Sequence, residues 1–165
     1  MAQEVLKSIL DDDFAELEQL RKQGFDVAES TEKEGWNYLH RALLGSRRQP
    51  TPRMLGHLIE LGNDVNAVDI HGNTPLHYAA RLKSAELVRV LVEAHADVNQ
   101  VNKDGVCPLR QSVIGKPRNH EATRLLLEAG ADMHQKTEGG KTVREYVAII
   151  AHSDPALVEI FDEYA

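Results

Sequence analysis

Two short phrases recur along this chain at a nearly constant interval, and that interval restricts the fold more than any other feature. Asp64-Val65-Asn66 returns as Asp97-Val98-Asn99 after 33 residues, and in degraded form as Asp132-Met133-His134 after 35 more. Glycines suited to tight turns keep the same rhythm: Gly35, Gly72, Gly105 and Gly140 stand 37, 33 and 35 residues apart. Two independent markers on one period imply tandem copies of a single supersecondary unit. A unit that small cannot bury its own apolar face and has to stack on its neighbours. The 165 residues hold about five such units.

The most regular copy runs Asp69-Ile70-His71-Gly72-Asn73-Thr74-Pro75-Leu76-His77-Tyr78-Ala79-Ala80. Thr74 suits an N-cap, Pro75 the first helical position, and Leu76 opens an apolar face. The phrase resembles the ankyrin repeat, whose signature is T-P-L-H-x-A. That resemblance implies an all-α fold: an ankyrin-repeat solenoid of about five helix-turn-helix repeats with short hairpin-like finger turns. A single domain, 1–165, is expected. It divides into an N-terminal cap at 1–33, repeats at 34–66, 67–99 and 100–134, and a C-terminal cap at 135–165.

The copies depart from the signature in readable ways. Asn37 and Tyr38 hold the Thr and Pro slots of the second unit, and its excess length falls in the loop-like stretch 45–52. Cys107 holds the Thr slot of the fourth, and Ser112 its first alanine slot. Asp13 with Glu16 predicts a helix start near residue 13, and Asp154-Pro155 another near 154. In ankyrin repeats the signature histidine braces neighbouring turns, so His40 and His77 are expected to do so here.

Composition narrows the function classes. The formal charge of −7 disfavours nucleic acid, which needs Lys and Arg to displace counterions. A basic protein partner would suit the same acidity. No run approaches the roughly 18 apolar residues that span a bilayer, so no membrane is expected. Met1-Ala2-Gln3-Glu4-Val5-Leu6-Lys7 lacks a secretory apolar core, and Cys107 is the single cysteine. Both features lead to the expectation of a cytoplasmic protein.

Two catalytic look-alikes fail on spacing. Before Gly140-Lys141-Thr142 a phosphate loop needs a glycine where Gln135 stands. His120-Glu121 lacks a second histidine, because Arg124 occupies that place. No metal site, no cofactor and no catalytic residue is expected.

The resemblance places partner contacts on the fingers and first helices. By position these are Trp36, Val68, Ile70, His71, Asn73, Arg81, Leu82, Val101, Lys103, Val106 and Ile114. Apolar side chains in slots that accept polar ones suggest a contact patch. Arg47, Arg48, Arg81, Lys83, Lys116 and Arg118 fall in successive inter-helix turns and suggest a second, basic contact rim. Cations at helix C-termini also complement the macrodipole, which is the alternative account of that rim. The implied function is binding another protein, as an inhibitor or regulator, with bacterial toxin-immunity proteins among the small ankyrin proteins. An adaptor or inhibitory subunit is the alternative, and an enzyme with an unrecognised site is the reading from a different class. A monomer before partner binding is expected.

Overall fold

In the computed structural model, residues 2–45, 48–116 and 118–165 are described. They form ten α-helices, paired along the chain. The pairs are α1 (Ala2–Leu10) with α2 (Phe14–Lys22), α3 (Tyr38–Leu43) with α4 (Pro52–Glu60), and α5 (Pro75–Leu82) with α6 (Ala85–Glu93). Then follow α7 (Pro108–Val113) with α8 (His120–Glu128), and α9 (Val143–Ile149) with α10 (Pro155–Glu163). The first helix of each pair packs on the first helix of the next. From α4 onward the second helices do likewise, so the chain builds two parallel layers. This is the expected all-α solenoid.

Most of these helices start where a short polar side chain takes an orphan N–H. Asp13 accepts from the Glu16 N–H, and Asp154 from the Leu157 N–H. Asn37 accepts from the His40 N–H, and Thr142 forms a reciprocal capping box with Glu145. Even the Cys107 sulfur accepts from the Arg110 N–H at 3.5 Å. Burial pushes the Cys107 thiol above its ordinary pKa, which suits a packed cap and not a nucleophile.

The core lies between the layers and is aliphatic. Leu39, Leu43, Leu55 and Leu58 fill the second unit, and Leu76, Ala79, Leu87 and Leu91 the third. Leu109, Val113, Ala122 and Leu126 fill the fourth, and Val143, Val147, Leu157 and Phe161 the last. Each fully buried Leu is worth about 1.5–3 kcal/mol. The apolar run of α6 is less enclosed than its sequence suggests. Leu87, Val88 and Leu91 are buried, while Val90 and Val92 are only half-buried.

The period markers have a mechanical basis. Asp64, Asp97 and Asp132 each accept the N–H two residues on, closing an Asx turn (2.8–2.9 Å). Asn66 then accepts the Asp97 N–H of the next unit at 2.8 Å, and Asn99 that of Asp132 at 2.7 Å. One residue of the phrase folds the turn and another fastens it to its neighbour. Repetition of the phrase is therefore repetition of the joint.

Candidate finger-side interaction surface

The fingers are tight loops leading into α3, α5, α7 and α9. In the second the Asp69 N–H donates to the Asn73 carbonyl, and in the third the Asn102 N–H to the Val106 carbonyl (both 3.0 Å). Backbone bonds join the first three fingers: Ile70 N–H to the Glu34 carbonyl at 3.0 Å, and Lys103 N–H to the His71 carbonyl at 2.8 Å. That closeness demands glycine. A Cβ on Gly35 would lie 2.9 Å from the Val68 carbonyl oxygen, and one on Gly72 3.2 Å from the Asn102 Cα, both at positive φ. The fourth finger is built differently. It holds a 3₁₀ turn at Glu138–Gly140 and a bridge from Lys136 to Thr142, and among the described residues no backbone bond ties it to the third.

His40 and His77 brace the fingers as expected. The His40 Nε2–H donates to the Asn73 carbonyl at 3.1 Å, and the His77 Nε2–H to the Val106 carbonyl at 3.0 Å. The His77 Nδ1 accepts instead, from the Thr74 N–H at 3.1 Å, and lies 2.9 Å from Thr74 Oγ1; the His40 Nδ1 lies 3.4 Å from the Asn37 N and 2.8 Å from Asn37 Oδ1. A second proton on the His77 Nδ1 would destroy its bond from the Thr74 N–H. Burial pushes both imidazoles below the ordinary value, against weaker opposing pulls from the carbonyls and Asp69. The unfolded chain therefore binds more protons than the folded one between the lowered pKa and about 6.5. Stability should fall as pH drops below about 6.5, by up to about 1.4 kcal/mol per pH unit for each histidine. Urea midpoints between pH 7.5 and 5 measure this, and replacing His77 with Gln should flatten the slope.

Asp69 and Tyr78, which the sequence reading did not single out, form the centre of the surface. The Asp69 carboxylate accepts from the His71 and Asn73 N–H groups at 2.8 Å each, from Asn73 Nδ2 at 3.3 Å, and from the Tyr78 hydroxyl at 2.6 Å. Burial works against its charge, but Tyr78 and Asn73 hold the carboxyl below its usual range. Burial and the Asp69 bond push the Tyr78 phenol up to about 12. The same role passes to Asn102 one unit on. It accepts from the Asp104 and Val106 N–H groups at 3.0 and 2.9 Å and donates to Asn73 Oδ1 at 2.7 Å.

The expected contact residues fall into two groups. Val68 and Ile70 stand out on the second finger, 49% and 48% exposed, with His71 and Lys103 also exposed. Trp36, Asn73, Val101, Val106 and Ile114 are half-buried, and Leu82 packs on the core. Arg81 is exposed, with its guanidinium 4.8 Å from the Tyr78 ring centre. Below the fingers a cleft of about 210 Å³ is lined by Asn73, His77, Tyr78, Arg81, Asn102 and Gln111, among others. Arg81 and Asp104 both line it, so its charge is mixed. The helices α3, α5 and α7 carry one charged residue each, the arginines Arg41, Arg81 and Arg110. Arg41 lies over Tyr38 and Arg110 over Tyr146, at 4.8 and 3.4 Å.

The basic rim is shorter than its sequence suggests. Arg47 lies outside the described residues. Arg48 pairs with Asp11, and Thr51 donates to Asp12, so the acidic first turn answers the second. The Arg118 side chain is 7% exposed, donating to the Val113 carbonyl at 2.9 Å and to Asp154 at 3.3 Å. Lys83 and Lys116 line an open hollow of about 680 Å³ together with Arg81, Arg118 and Glu121. Among the described residues no three His, Cys, Asp or Glu side chains are grouped to hold a metal ion, and no helix is long and apolar enough to cross a membrane.

Comparison with known proteins agrees with this geometry. A family profile described as ankyrin repeats, three copies, matches residues 48–137. The tyrosine-protein kinase Shark of Drosophila melanogaster is 36% identical over 74% of this chain and 13% of its own length. The ankyrin repeat and SAM domain-containing protein 6 of Rattus norvegicus is 36% identical over 59% of the chain and 11% of its own length. The putative palmitoyltransferase ZDHHC13 of Danio rerio is 32% identical over 75% of the chain and 18% of its own length. The chain thus spans under a fifth of each of these relatives. With the shared joints, the braced fingers and the matched profile together, the chain belongs to the ankyrin-repeat family, a family of protein–protein interaction modules that is generally non-catalytic.

Proposed function

We propose that the finger-side face binds a segment of one partner protein and inhibits or regulates that partner by occupying its surface. One observation carries the reading: Val68 and Ile70 stand exposed together on a finger that is rigidly tied to both neighbours. Rigid apolar side chains held in place before contact cost little ordering entropy on binding.

Inhibition of a toxin is one instance of this mode, and a toxin gene beside this one would favour it. An adaptor is the second reading, favoured by the relatives named as a kinase or a palmitoyltransferase. They are matched over 13% and 18% of their length, so the shared stretch serves there beside other regions. Photo-cross-linking tests the surface. With benzoylphenylalanine at Ile70, a specific protein adduct should form; at Val90, on the opposite layer, it should not. Adducts from Val90 alone, or from neither site, would reject the reading. Lost partner activity in the adduct separates inhibitor from adaptor.

A further inference from the structure

The geometry points to a self-association surface on the outer layer, where α4 crosses α4 of a second copy of the chain about a two-fold axis at Gly56. The second helices carry an open groove of about 580 Å³ along α4, between Phe14 of α2 and Val90 of α6. Ile59, Val90 and Ala94 give it half-buried apolar walls, and Gly56 lines it too. Gly56 is the only glycine inside the ten described α-helices, a place where glycine weakens the helix. Nothing within the chain asks for it. Its φ is not left-handed, and a Cβ added there would meet no atom within 4 Å. The missing side chain leaves room for a contact from outside, since helices approach as closely as the residues at their crossing allow.

A second copy fits that room because the stripe through Gly56 is its own complement. Arg53, Gly56 and Glu60 stand at i, i+3 and i+7 on one face of α4, while Met54, Leu55 and Leu58 are buried on the other. A cation and a carboxylate thus flank the glycine on either side. Laid antiparallel across its copy at Gly56, α4 brings each Arg53 to Glu60 of the second copy, as a two-fold interface requires. Arg53 is open to that contact. Its guanidinium lies 4.5 Å from the Phe14 ring centre, which covers one face and leaves the N–H edge outward. Among the described residues Arg53 pairs with no carboxylate. Glu60 meets the His57 ring at 3.5 Å, and Glu93, on the same groove, pairs with no cation among the described residues. A foreign helix would impose no such symmetry on the stripe.

This surface is independent of the finger side. It belongs to the second helices, so a dimer leaves both finger faces open and presents two of them to a partner at once. The sequence leads to the expectation of a monomer; Gly56 and the charges that flank it are the grounds for a dimer. Because Val90 edges the groove, a cross-linker there captures a second copy, and twice the chain mass separates that product from the adduct with a foreign protein expected at Ile70.

Sedimentation of the whole chain over a range of concentrations should show a monomer–dimer equilibrium that weakens as salt rises. Gly56→Leu should abolish it without lowering the melting temperature, since the added side chain enters open space. Arg53→Glu and Glu60→Arg should each raise the dimer Kd by about tenfold or more, because like charges then face each other across the axis. Mixed in equal amounts, the two reversals should restore association as a heterodimer, since every cation again meets a carboxylate. The Val68→Asp, Ile70→Asp variant should dimerise like the parent, which separates this surface from the finger face. A chain that stays monomeric at every concentration overturns the proposal. So does a dimer indifferent to Gly56→Leu, or a pair of reversals that mixing does not rescue, because the helices would not then cross antiparallel at Gly56. A monomeric chain whose Val90 cross-linker captures a foreign protein gives the groove to that protein and equally overturns the assignment to a second copy.

Discussion

Replacing Asp69 with alanine should cost about 3 kcal/mol, a larger loss than any other polar substitution in the fingers. Its carboxylate takes two backbone N–H groups, the Asn73 amide and the Tyr78 hydroxyl. All lose their acceptor together, and the Tyr78 hydroxyl stays buried beside the half-buried Trp36 indole. An orphaned buried donor costs about 1–3 kcal/mol. Asp69→Asn should be milder, about 1 kcal/mol, because Asn102 already performs the turn-closing part of the task with an amide. Urea denaturation at pH 7.5 measures both. A loss under about 1 kcal/mol for the alanine variant would mean that the finger's shape does not depend on this carboxylate. At pH 7.5 the histidine contribution is constant, so the two effects do not mix.

The repeat frame was legible because the joints use fixed residue types at fixed offsets. Asn66 and Asn99 each fasten one unit to the next, and His40 and His77 each reach the following finger. A contact made once per unit leaves a periodic mark. The Asp13 and Asp154 caps were equally readable, since capping depends on only three or four adjacent residues. Contacts made once in the whole chain leave no such mark. Tyr78 occupies the variable place in the signature, and nothing in its neighbours announces the bond to Asp69. Arg118 and Asp154 lie 36 positions apart and Arg48 and Asp11 lie 37 apart, in turns whose sequences follow no rule. The rim therefore read as uniformly basic, although two of its arginines are answered by carboxylates. The fourth finger escaped for a related reason. Its glycine keeps the period, but Gly139 and Gly140 both take positive φ and admit a 3₁₀ turn that the earlier fingers do not contain.

Substituting Val68 and Ile70 together with aspartate should weaken partner binding by about 100-fold or more, near 3 kcal/mol. Both side chains are about half exposed in the free protein, and neither belongs to the core or its packed surround. Removing them leaves no cavity, so stability should shift by no more than about 0.5 kcal/mol. Val106 is a poorer choice, because it is half-buried and its carbonyl accepts the His77 brace. Aspartate, unlike alanine, adds an unpaired charge to be desolvated at the centre of the contact. Lysine at the same two places supplies the discriminating comparison. If burial dominates, both charges harm binding equally. If charge complementarity contributes, lysine and aspartate cost different amounts, and the difference shrinks as salt rises. A partner held with unchanged affinity by both variants would place the contact away from the second finger.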